Sequence, residues 1–137
     1  MPNWTQNQQN AINSTNGSIL VSASAGSGKT AVLVERVISR ITDKKNPTPA
    51  DRMLVVTYTK AAAAEMKERI IARLYDLIKE NPYDSHLRYQ QLKLQNAHIS
   101  TIHSFCSQLV RENFYSLGVS KDFRIADDGE LSVLKNE

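Results

Sequence analysis

Residues 22–30 read SASAGSGKT, and Gly26, Ser27, Gly28, Lys29 and Thr30 within them are a set able to hold phosphate. Glycines let successive backbone N–H groups point inward and approach phosphate oxygens closely. Lys29 offers an ammonium to the β- and γ-phosphates. Thr30 offers a hydroxyl to Mg²⁺, an ion that prefers octahedral oxygen ligands and keeps several waters. The general pattern G-x-x-x-x-G-K-[ST] is met except at its first position, where Ala23 stands, followed by Ser24 and Ala25. The plain alternative is an ordinary strand–helix turn rich in small residues.

Such a loop works only between a strand and a helix, and the flanking pattern predicts both. Ile19 to Ala23 is a short apolar run, which predicts a buried strand after a turn at Asn16-Gly17. Thr30, Leu33, Val34, Val37, Ile38 and Ile41 form the apolar stripe of a helix packed on a sheet. The helix starting near Lys29 adds the positive end of its dipole to the loop. Ahead of the loop, residues 4–13 predict a short helix capped by Thr5, with Gln8, Ala11 and Ile12 on one side.

Downstream, residues 43–50 read as a surface loop and residues 53–58 as a second buried strand. From Ala61 a helix is predicted with Ala63, Met66, Ile70, Leu74, Leu77 and Ile78 on one face, stopped by Asn81-Pro82. Residues 84–96 predict another helix anchored by Leu87, Leu92 and Leu94, and residues 97–100 a very short strand. Residues 101–117 predict a helix with Ile102, Phe105, Leu109 and Phe114 inward and Gly118 as its C-cap. The run DFRIA, residues 122–126, predicts a fourth strand, with Asp127 or Asp128 capping a further helix. Strands alternating with helices imply an α/β fold with a parallel sheet covered on both faces.

Composition bounds the rest. The chain has 137 residues, 41% hydrophobic and 23% charged, enough for one modest globular domain. It contains no run of 18 apolar residues, so no membrane span is expected. The polar N-terminus and the single cysteine, Cys106, fit a reducing cytoplasm. Cys106 reads as a buried small hydrophobe, His98 as structural and His86 as exposed. The three histidines lack a metal-ligand spacing, so no metal beyond nucleotide-bound Mg²⁺ is expected. The net charge of +3 hides a basic body and an acidic tail after residue 126, compatible with a polyanionic partner or with a solvated surface.

Three further segments set the loop in context: WTQNQQNAI at 4–12, VVTYTKAAAAEMKERI at 55–70 and ISTIHSFCSQLV at 99–110. In this order with ASAGSGKT, they resemble the opening motifs of superfamily 1 DNA helicases of the UvrD, Rep and PcrA type. The resemblance is closer still to the AddA (RexA) family, the helicase–nuclease subunits of bacterial AddAB complexes. It covers essentially the whole chain. It implies a RecA-like P-loop fold with residues 1–137 as the N-terminal part of motor domain 1A, its sheet incomplete. It implies that Ala23 is the family's own form of the loop, which holds ATP and Mg²⁺ through residues 23–30, Lys29 and Thr30 being the catalytic pair.

Gln8 matches the Q-motif glutamine, which the resemblance assigns to the adenine edge; an amide supplies the donor and acceptor that adenine requires. By its surroundings in sequence alone, Gln8 reads as an exposed helix residue. Thr57, Tyr58, Thr59 and Lys60 match motif Ia, and Thr101, His103 and Ser104 match motif Ib, both assigned to single-stranded DNA. Hydroxyls at a strand end suit phosphates and an aromatic ring suits a base. Read without the family, Tyr58 is a core residue with its hydroxyl at the rim. Lys60 stands where the common pattern has Asn, so the hydrogen bonding of that Asn does not carry over.

The resemblance also marks what these residues lack. The family hydrolyses ATP with an Asp-Glu pair after a later strand, and no such pair follows an apolar run here. Asp127-Asp128 resembles the stretch before the family's next helix instead. Arginine fingers of a second motor lobe and a nuclease domain are likewise expected elsewhere in a longer protein, with AddB (RexB) as partner. An incomplete sheet predicts self-association through an exposed edge. Two other readings stand beside this one: a small P-loop phosphotransferase, with Arg69 and Arg73 mimicking a lid, and a non-enzymatic single-strand DNA-binding module.

Overall fold

Two short β-branched runs find each other across a helical crossover. In the computed structural model, which describes residues 3–15, 17–24, 26–127, 129–130 and 132, β1 (Leu54–Thr57) and β2 (His98–Thr101) pair in parallel. Leu54 lies opposite His98, Val55 opposite Ile99, Val56 opposite Ser100, and Thr57 opposite Thr101. Parallel strands need a long connection, and α3 (Lys60–Glu80) and α4 (Ser85–Leu94) supply it. Two further helices precede the sheet: α1 (Gln6–Asn13) and α2 (Lys29–Ile41). The chain divides into two compact units, Met1–Ile102 and His103–Glu137.

In the first unit, α2 buries Val34, Val37, Ile38 and Ile41, and α3 buries Met66, Ile70 and Leu74. These meet Val55 of β1 and Leu87 and Leu94 of α4 in one core. Helices α1, α3 and α4 each start where a short polar side chain takes an orphan N–H. Thr59 caps α3 through the Ala62 N–H (3.1 Å), and Asp84 caps α4 through His86 and Leu87. Thr5 caps α1 in a reciprocal box with Gln8. The helical stripe of α2 is rotated slightly from the expected one, with Val32 buried and Leu33 at the surface.

Several expectations are corrected. Residues 19–23 form no strand: Leu20 is 96% exposed, and Ile19 and Val21 are also at the surface. A strand exists through its hydrogen-bonded neighbours, and β1 and β2 are bonded to each other rather than to this run. Among the described residues the sheet therefore has two strands, with Val55 facing the helices and Leu54 and Val56 on an open face. On α4, Leu92 is exposed and Gln90 is buried in its place, accepting the Ala50 N–H at 3.0 Å. His86 is not exposed but half-buried, its Nε2 2.7 Å from the Ile41 carbonyl oxygen. Asn16 of the expected turn lies outside the described residues.

The second unit carries most of α5 (Ile102–Glu112) and α6 (Phe114–Leu117), where one helix was expected. They part at Asn113, whose side-chain amide donates to the Leu109 carbonyl (2.8 Å) and competes with the backbone. Gly118 closes α6 as expected. No residue of α5 is fully buried, and Ile102, Leu109 and Cys106 are exposed, against expectation. DFRIA is not a strand; Arg111 stacks on Phe123, 5.1 Å from the ring centre, and Arg124 pairs with Glu130. Asp127 accepts the Glu130 N–H at 2.9 Å while Glu130 accepts the Asp127 N–H, a helix-start box. Asp128 lies outside the described residues.

Candidate nucleotide-binding site

The loop between residues 22 and 29 is shaped by two glycines in left-handed backbone. Gly26 has φ +78° and Gly28 has φ +82°, values that side-chain-bearing residues adopt only at a cost. Gly28 is also the N-cap of α2, and no side chain caps that helix. The first intrahelical bond runs from Val32 N–H to the Gly28 carbonyl (3.0 Å). Helix geometry thus leaves the preceding amides of the first turn without intrahelical acceptors. They present partial positive charge at the mouth of the loop, where an anion is favoured.

Side chains complete the cradle. Lys29 Nζ folds back over the loop and donates to the Ala23 carbonyl (2.7 Å) and the Ser24 carbonyl (2.6 Å). The ammonium is thereby held across the opening, with acceptors that phosphate oxygens can replace. Ser27 Oγ is buried without a hydrogen-bond partner among the described residues. A buried hydroxyl left unpaired is costly, and a ligand oxygen is the kind of group that would satisfy it. Thr30 lies exposed in the first turn of α2. Ala25 falls outside the described residues.

Gln8 is brought to this loop by the fold. Its Nε2 donates to the Ser27 carbonyl at 3.2 Å, while its Oε1 accepts the Thr5 N–H at 2.9 Å. A β-carbon at Gly28 would touch the same Nε2 at 3.5 Å. Gln8, Ala23, Ser24, Ser27, Lys29 and Arg36 share an open cavity of about 790 Å³, whose walls also carry Ile19, Val21 and Val32. An apolar-walled cleft with a few convergent polar groups suits a planar base attached to an anionic chain. The donor set fits Mg-nucleotide: one ammonium, loop amides, an unpartnered buried hydroxyl and an exposed threonine.

One residue of each DNA-assigned segment lies at the same end of the sheet. Thr57 and Thr101, the last residues of β1 and β2, lie directly opposite each other. Thr57 Oγ1 donates to the Thr59 carbonyl (2.9 Å), and the Thr59 hydroxyl caps α3, with Lys60 exposed as its first residue. Tyr58 is 102% exposed, so it is not the core residue that the local sequence suggests. A phenol ring held in water at a strand end has a free face for stacking. His103 and Ser104 lie in the first turn of α5, in the second unit. The structure thus unites Gln8 with the loop and Thr57 with Thr101.

Over residues 4–137 the sequence matches the family model of the UvrD/REP helicase N-terminal domain. The chain belongs to that family. The matched span takes in the loop, the glutamine helix and the paired strand ends. Among relatives, an ATP-dependent helicase/nuclease protein of Anoxybacillus flavithermus is 52% identical over 134 residues, covering 98% of this chain and 11% of that protein. The protein of the same name from Oceanobacillus iheyensis is 51% identical over 137 residues, covering 100% and 11%. That of Clostridium acetobutylicum is 47% identical over 135 residues, covering 98% and 11%. The chain therefore spans about a tenth of the length of the curated relatives it matches.

Sequence reasoning missed the arginines behind the glutamine helix. Arg36 and Arg40 of α2 both reach carbonyls at the end of α1. Burial first, and then the nearby Arg40 charge, lower the Arg36 pKa from its ordinary value. The available signal was weak: two arginines one helical turn apart, beside the apolar stripe. Arg69 and Arg73 do not form a lid. Arg69 pairs with Glu65 (2.6 Å) on its own helix, and Arg73 reaches across to Glu35 of α2 (3.2 Å).

Proposed function

We propose that this chain is the N-terminal ATP-binding portion of an AddA-type ATP-dependent DNA helicase/nuclease. In that reading the whole protein moves along single-stranded DNA, unwinds duplex and serves double-strand-break repair and recombination in the bacterial cytoplasm, at the nucleoid. AddB is its partner in the complex. The observation that carries the reading is the Gly26–Thr30 loop with Gln8 hydrogen-bonded to it.

The chain's own residues divide the work. Lys29 exchanges the Ala23 and Ser24 carbonyls for phosphate oxygens, and the free amides at the start of α2 hold the remaining charge. Ser27 Oγ gains its missing partner there. Thr30 supplies the hydroxyl to the metal, and Gln8 orients the base. Bound Mg²⁺ would neutralise phosphate charge and align the terminal phosphoryl group for transfer. Thr57, Tyr58, Thr59 and Lys60, with Thr101, His103 and Ser104, contact single-stranded DNA. With no Asp-Glu pair after a strand, the isolated chain binds nucleotide weakly and does not turn it over.

Calorimetry with Mg-ATP tests this. Weak binding that disappears in Lys29→Ala is the expected result, with no phosphate release from either protein. Robust ATP turnover by the purified chain, lost in Lys29→Ala, would overturn the assignment of hydrolysis to residues elsewhere. Phosphoryl transfer to a small acceptor without any DNA dependence would favour the phosphotransferase reading. The engagement of Arg69 and Arg73 in ion pairs stands against that reading.

A further inference from the structure

Helix α1 delivers Gln8 to the loop, yet little within α1 explains its position. It has eight residues and buries only Ile12. A helix this short does not persist by itself in water. Its last turn carries no basic residue to meet its carbonyl end. That end is met by α2. Arg36 Nη1 donates to the Ala11 carbonyl at 2.5 Å and the Ser14 carbonyl at 3.0 Å, with the Ile12 carbonyl at 3.4 Å. Arg40 Nη2 also donates to the Ser14 carbonyl.

α1 is therefore tied to α2 at two points. Gln8 meets Ser27 near the start of both helices, and Ala11 to Ser14 meet Arg36 and Arg40 farther along both. The last carbonyls of a helix lack intrahelical donors and carry partial negative charge. Two guanidiniums set against those carbonyls offset it. Without them, the Gln8–Ser27 bond and the apolar packing of Ile12 and the half-buried Ala11 would be left to hold α1.

We propose that Arg36, backed by Arg40, is a positioning residue that holds α1 by its carbonyl end so that Gln8 faces the base of the bound nucleotide. Base preference then depends on a guanidinium that acts through Gln8. The inference rests on the assignment of Gln8 to the base given above.

The test compares Mg²⁺ complexes of ATP, GTP and inorganic tripolyphosphate, titrated into the full chain and followed by amide NMR. In the wild type, ATP binds more tightly than GTP or tripolyphosphate by about five- to tenfold, the worth of one well-made hydrogen bond. Gln8→Ala removes that preference and lowers ATP affinity more than tripolyphosphate affinity. Arg36→Met, which keeps the aliphatic stem, is expected to do the same to within about twofold, and combining the two substitutions should then add nothing. Emission of Trp4, the one tryptophan, should shift to the red in Arg36→Met as the start of α1 loosens.

Arg36→Met with wild-type base preference, while Gln8→Ala loses it, overturns the inference and leaves the nucleotide reading intact. An equal loss of ATP and tripolyphosphate affinity in Arg36→Met also overturns it, because Arg36 would then serve the loop as a whole. A wild type without base preference, or Gln8→Ala that retains it, removes the assignment of Gln8 and the inference together. If Arg36→Met does not fold, Arg36→Lys replaces it. The lysine ammonium ends about one bond short of Nη1, the nitrogen that meets both the Ala11 and Ser14 carbonyls, so loss of preference supports the role and full retention refutes it.

Discussion

At the scale of single residues, exposure and partner decide what each side chain is for. Tyr58 has no packing to lose, so Tyr58→Ala should leave the melting temperature unchanged. Under the DNA reading it should weaken binding to a single-stranded oligonucleotide by ~1–3 kcal/mol, measured by fluorescence anisotropy. Unchanged affinity would remove Tyr58 from that surface. Asp51 shows the opposite case, a surface carboxylate with a fixed partner. Its hydrogen bond to Lys93 (2.8 Å) holds its pKa below the ordinary value. A carboxylate depressed in the folded state stabilises above the unfolded value, about pH 4, and that share fades as pH falls through the lower folded value. Urea midpoints measured from pH 6 downward should therefore fall less steeply in Asp51→Asn than in wild type.

At the scale of elements, the helices of the first unit stand on a few buried groups. Ile70 and Leu74 of α3 are almost wholly enclosed between α2, α4 and β1. Ile70→Ala should cost ~2–5 kcal/mol in chemical denaturation, since the core has little freedom to close around the missing atoms. Gln90 is the polar counterpart. Its Oε1 satisfies the Ala50 N–H in the short turn before β1, and its amide lies 3.4 Å from His86 Nε2. Gln90→Leu extends the buried apolar face of Leu87 and Leu94 but leaves the Ala50 amide unpaired. A loss of ~1–3 kcal/mol is expected, and a neutral or stabilising result would show that the hydrogen bond contributes little.

At the scale of the whole molecule, the open face of the sheet is the feature with consequences. Among the described residues the two strands expose Leu54 and Val56 on one face, and the apolar run 19–21 lies at the surface instead of in a ladder. We expect the chain to self-associate through this sheet. Sedimentation should show mass rising with concentration, and Val56→Lys should suppress it with little change in melting, because the side chain faces solvent. A wild-type chain that stays monomeric and fully ordered at high concentration would end this reading.

Local chemistry was legible in the chain itself. The turn glycines of the loop, the cap at Thr5 and the stripe of α3 follow from residue type and spacing, because turns, caps and helical faces are set within a few residues. The two strands of the sheet were legible as short runs, their ends one residue away from those expected. Pairing was not. Whether residues 19–23 and 122–126 become strands depends on neighbours supplied by distant chain, and an apolar run states only that it would accept one. Cys106, His86 and Leu92 differ from their expected exposures because burial depends on which element packs above. The meeting of Gln8 with Ser27, and of Arg36 with the end of α1, joins residues 19 and 25 positions apart. Only the packing of α1 on α2 brings such groups within hydrogen-bond distance, so only the tertiary structure determined how the glutamine is held.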